Sequence, residues 1–82
     1  MVVVHRAHGF RFVIYTDDHE PAHVHLIGDG LAKVHLLGTD GQPEVVDVRG
    51  IKRSDMRRIY AEIVERREEF LAEWERIHGP TE

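Results

Sequence analysis

The last third of the chain constrains the fold most. Between Ser54 and His78, the residues Met56, Ile59, Tyr60, Ile63, Phe70, Trp74 and Ile77 recur at three- and four-residue spacing, an apolar stripe on one side of a helix. Arg58, Glu62, Glu65, Glu69, Glu73 and Arg76 fall on the other side. Ser54 reads as the N-cap with Asp55 in the first turn, and His78-Gly79-Pro80 reads as a stop. The interval predicts ~24 helical residues, or ~36 Å of helix. Such a helix draws its stability from an apolar surface that its stripe can cover.

The first 50 residues supply that surface. Val2–Ala7 and Phe10–Tyr15 are apolar-rich runs joined by His8-Gly9, a hairpin with glycine at positive φ. A polar loop over residues 16–22 follows, closed by Pro21, which holds Glu20 extended. His23–Ile27 and Leu31–Leu37 form a second hairpin across Gly28-Asp29-Gly30, and Glu44–Arg49 is a further strand ended by Gly50. The expected fold is α+β. A four- to five-stranded, mostly antiparallel sheet has the long C-terminal helix on one face, in one domain over residues 1–82.

An 82-residue chain buries only ~60% of its unfolded surface, so its core is thin. It has no cysteine, which excludes a disulfide framework and thiolate metal sites. The longest apolar run, Met1–Val4, is too short for a signal peptide or membrane span, and a soluble cytoplasmic protein is expected. The net charge of -4 argues against a general electrostatic binder of nucleic acid. Charge is nevertheless uneven, with Lys52, Arg53, Arg57 and Arg58 gathered at the helix start, where a solvated terminus is the favoured explanation over a site for phosphate or an acidic partner.

Strand alternation sorts the side chains. Phe10, Phe12, Ile14, Val24, Leu26, Val34, Leu36, Val46 and Val48 form the face beneath the helix. Arg11, Tyr15, His23, His25, Lys33, His35, Asp47 and Arg49 form the other, expected to be open to solvent. Six of the seven histidines lie in the first 35 positions, and His19-Glu20-Pro21-Ala22-His23-Val24-His25 is the densest group.

Three uses compete for that segment. Its imidazoles can exchange protons near neutral pH or hold an anion. His19, His23 and His25, with Glu20 or Asp18, can instead ligate a borderline divalent ion, although the spacing is not diagnostic. Glu20 and the histidines can also simply pin the loop. Arg67 interrupts the helix stripe, and it either meets a carboxylate, lines a site at the helix–sheet edge, or extends its stem past Trp74 to water. No cysteine nucleophile, glycine-rich phosphate loop or G-x-S-x-G is present, and no cofactor is indicated.

Gly9-Phe10-Arg11-Phe12, Tyr15, the segment His19–His25, Ala32-Lys33 and the later Arg67-Glu68-Glu69-Phe70-Leu71 with Trp74 together resemble a known pattern. The chain resembles the small bacterial proteins catalogued as domain of unknown function 4160, with their H-E-P-P-H-[IV]-H segment and A-K strand. It departs from them at Ala22 and at His35, so His35 is not carried over. The resemblance implies a toxin–antitoxin-like module, with a small protein encoded by the neighbouring gene as partner. Toxins of that kind commonly cleave RNA on an exposed sheet face.

The resulting expectation assigns His19, Glu20, His23 and His25 to catalysis and Arg11, Lys33 and Arg67 to substrate binding. No metal ligand, cofactor or membrane is assigned. Metal-independent cleavage of RNA would use an imidazole as base and the cations for phosphate. The alternatives are a non-catalytic, antitoxin-like partner-binding module and a histidine-ligated metal protein. Trp74 and Ile77 leave a homodimer contact open.

Overall fold

The computed structural model describes residues 1–79; Pro80, the last residue of the expected stop signal, lies outside them. Five strands, β1 (Val2–Ala7), β2 (Phe10–Ile14), β3 (His23–Ile27), β4 (Leu31–His35) and β5 (Glu44–Arg49), precede one helix, α1 (Arg53–His78). The sheet is open, with spatial order β1-β2-β3-β4-β5 and every neighbouring pair antiparallel. The α+β expectation holds, at five strands.

The turns show why short connections suffice. His8 and Gly9 both have positive φ, 56° and 80°, the combination that a two-residue turn of the primed type requires. At the tip of the next hairpin, a Cβ on Gly30 would stand 2.4 Å from the Arg49 carbonyl oxygen, so only glycine lets β5 end there.

Apolar alternation builds the core as expected over β2–β4. Phe12, Ile14, Val24, Leu26, Val34 and Leu36 are fully buried against Ile59, Ile63, Phe70 and Trp74 of α1. Two expectations need correction. Val46 and Val48 remain about two-fifths exposed, at 42% and 41%. The ladder shifts between Lys33 and Val34, pairing Val34 with Val45 but Lys33 with Asp47, and every residue of β5 lies outside the cover of α1.

Ser54 is not the cap. The N-cap is Lys52, without a side-chain cap bond, and Ser54 is already helical. The stop does form, with Gly79 at φ 84° donating its N–H to the Glu75 carbonyl. α1 is also not straight, since Arg66 leaves helical geometry at φ -106°, ψ 16°. That break falls beside Arg67, where the apolar stripe is interrupted and no buried side chain holds the helix to the sheet.

β1 carries a second register shift, between Val3 and His5, which pairs His5 with Phe12 and turns its ring beneath the helix. There it packs against Phe12 and Phe70, with ring centroids 5.2 and 5.8 Å away, and meets the Glu62 carboxylate at 2.7 Å. Glu62 also accepts from Arg66 at 2.6 Å, which holds its carboxyl below the usual glutamate range despite partial burial. No described helix is long and apolar enough to cross a membrane.

Candidate functional site

The polar loop after β2 folds back through Asp18. Its amide donates to the Tyr15 carbonyl at 3.1 Å, and its Oδ2 accepts the Tyr15 amide at 3.0 Å. This two-way turn presents the carboxylate to the start of β3, where His23 and His25 project from one side. His23 Nε2 and His25 Nε2 each lie 3.3 Å from Asp18 Oδ2. The two rings meet edge to face with centroids 4.9 Å apart, and Tyr15 stands 4.8 Å from the His25 ring.

The two imidazoles have different surroundings. His23 was expected on an open face, but only 3% of it is exposed. The loop closes over it, its Nδ1 donates to the Pro21 carbonyl at 2.8 Å, and Trp74 from the end of α1 packs 5.1 Å from its ring. His25 keeps a quarter of its side chain exposed, 25%, and reaches solvent. His35, opposite His23, has its imidazole pushed below its ordinary value by burial, then by the charges of Lys33 and His23. Burial would raise the Asp18 carboxyl, but the Tyr15 amide and the charges of His23 and His25 outweigh it and lower the group below its ordinary value.

Lys33 sits directly across from His25, and Asp47 directly across from Lys33. Together with Tyr15, Ile27 and Arg49 they line a shallow depression of about 260 Å³ on the sheet face away from α1. Arg11 shares that face, two residues before Val13, the cross-strand partner of His25, and is exposed. Val13 itself is fully buried, so the open face has a sealed apolar spot at its centre.

The remaining expected site residues go elsewhere. His19 is exposed in the loop and stands outside the Asp18–His23–His25 group. Glu20 accepts the Trp74 indole N–H at 3.3 Å, which makes it a tie between loop and helix. Arg67 donates from Nη1 to the Gly41 carbonyl at 2.7 Å, on the loop between β4 and β5. Arg67 meets no carboxylate among the described residues, and a backbone oxygen accepts its hydrogen bond instead.

The sequence offers Asp18 as an optional ligand and as one candidate partner of Arg67, but does not place it in the assigned site. The signal was present in Tyr15-Thr16-Asp17-Asp18, since an aspartate three residues after the residue that opens a turn is placed to accept that residue's amide.

Residues 9–75 match the family described as Domain of unknown function (DUF4160). The chain belongs to this family. No curated protein and no solved structure shows a significant match to it. The matched span includes Asp18, both clustered imidazoles, Lys33, Arg49 and Trp74, so the whole DUF4160 match carries the loop, the sheet face and the helix end that locks them together.

Proposed function

We propose that the DUF4160 sheet face around His25 binds single-stranded RNA through its phosphates, as one member of a toxin–antitoxin-like pair. The observation behind this reading is the depression that gathers Lys33, Arg49, His25 and Tyr15 at one place in a chain that is acidic overall. Cations that track a phosphate, beside an aromatic ring on which a base can stack, are the recurring parts of single-strand recognition. Asp47 lies 3.2 Å from the Arg49 guanidinium, but both groups are exposed, and such a pair gives up its partner to a phosphate at little cost.

The reading is binding first. A two-imidazole cleavage scheme needs both rings at the substrate, and His23 is sealed. His25 alone presents an imidazole to the depression, with Asp18 behind it to orient the ring. The competing partner-docking reading draws on β5, whose Val45, Val46 and Val48 are all exposed.

Fluorescence anisotropy with a labelled single-stranded RNA at several salt concentrations tests the proposal. Lys33→Ala and Arg49→Ala are each expected to weaken binding and to reduce the salt slope by about one. Wild-type protein that leaves RNA unbound at low salt, or variants that bind as wild type does, would reject it in favour of partner docking.

A further inference from the structure

The contacts at Asp18 are unusual for a carboxylate shared by two histidines. A carbonyl oxygen only accepts, so the bond to Pro21 places the His23 hydrogen on Nδ1. With one hydrogen on the ring, that bond leaves Nε2 free to face Asp18 Oδ2 as an electron-pair donor, and His25 Nε2 approaches the same oxygen. Three potential electron-pair donors, from a buried ring, a half-buried ring and a half-buried carboxylate, lie within 4.8 Å of one another.

Both nitrogen separations from Oδ2 are 3.3 Å, and His25 Nε2 also makes a long hydrogen-bond contact of 3.4 Å to Oδ1. A charge-assisted N–H···O bond is shorter, about 2.7–2.9 Å. By contrast, bonds of ~2.0–2.1 Å to a tetrahedral zinc ion put neighbouring ligand atoms about 3.3–3.4 Å apart. The other half of a metal site is also present. A ligating imidazole ordinarily donates its second N–H to a carbonyl or carboxylate, and His23 does so to Pro21. The Tyr15 amide fixes the carboxylate in the same way.

We infer that Asp18 Oδ2, His23 Nε2 and His25 Nε2 bind a divalent transition ion of the zinc class. Two imidazoles and one carboxylate leave a coordination position free, and the exposed side of His25 directs it to the depression that Lys33 and Arg49 line. A phosphate oxygen or a water completes the coordination there. This inference goes beyond the RNA reading and does not depend on it.

Untagged full-length protein, stripped with chelator, is titrated with zinc chloride alone by isothermal calorimetry, and circular dichroism checks each variant's fold. One equivalent is expected to bind. Loss of a partner behind a metal ligand already costs ~10–100-fold in affinity, so removing a ligand with His25→Ala or Asp18→Asn should cost at least ~100-fold. His19→Ala should bind as wild type does. Asp18→Asn keeps an oxygen for the Tyr15 amide, which preserves the turn if His25→Ala disturbs it. Cobalt in place of zinc should give the visible spectrum of a low-coordinate site, lost in both ligand variants. Less than about a tenth of an equivalent of bound zinc, or undiminished binding by folded His25→Ala and Asp18→Asn proteins, overturns the inference. Loss of RNA binding with zinc binding intact would remove only the earlier proposal.

Discussion

The indole Nε1–H of Trp74 donates to the carboxylate of Glu20 at 3.3 Å, joining the last turns of α1 to the loop that shapes the imidazole cluster. The same indole packs on His23 and, 4.0 Å from ring centre to ring centre, on His78, whose Nε2 reaches the Tyr15 carbonyl at 3.1 Å. The helix end is therefore part of the wall behind the candidate site.

Trp74→Ala is expected to destabilise the protein by about 3–5 kcal/mol, the range for truncating a fully buried aromatic. The whole margin of an 82-residue domain is ~4–12 kcal/mol, so this one truncation removes a large share of it. Trp74→Phe keeps a ring but loses the bond to Glu20, at about 1 kcal/mol. Urea unfolding distinguishes the two variants.

Stability should fall in mild acid through Glu62. Its carboxyl is held below its ordinary value of 4.5, first by the hydrogen bond from Arg66, then by His5. The unfolded chain takes up the proton first, so this contribution is complete above pH 4.5 and is lost as the pH falls through the lower, folded value. Unfolding free energy measured from pH 7 to pH 3 should show the slope, and Glu62→Gln should flatten it while lowering stability at pH 7.

Arg67→Ala should leave RNA and zinc binding as they are, because the side chain serves the Gly41 carbonyl on the loop before β5. The expected cost is about 1 kcal/mol of stability, read by thermal unfolding. Weakened RNA binding by the folded variant would return Arg67 to the site.

Val46→Thr should change stability by no more than ~0.5 kcal/mol, because the side chain is 42% exposed on a strand that α1 does not cover. Leu26→Ala, on the buried face of β3, should cost about 2–5 kcal/mol. Parallel chemical denaturation of the two variants measures the contrast.

The architecture was legible because it depends on local patterns. The alternation in Phe10–Ile14 and His23–Ile27 and the stripe from Ile59 to Trp74 each name a buried face without any knowledge of the rest. Val46 escaped because a single shifted residue in a ladder reverses faces, and Val48, still opposite the buried Ala32, because α1 does not cover the edge strand; neither strand's composition announces these. At the site, the shared side of His23 and His25 was readable from their spacing by two. Their unequal access was not, because Trp74 reaches His23 from 51 positions away in the chain. Asp18 was underweighted for a related reason: its role comes from a turn, where side-chain direction depends on backbone angles that no periodicity encodes.

The β1-β2-β3-β4-β5 order gives every ladder to strands adjacent in sequence, so the sheet can zip together without closing a large loop. The remote contacts, His5 with Glu62 and Glu20 with Trp74, all belong to α1. The wall behind His23 is therefore completed only when the helix docks. Asp18 and the imidazoles are positioned by the loop and β3 alone, so what Trp74 adds from late in the chain is the closure of His23 from solvent.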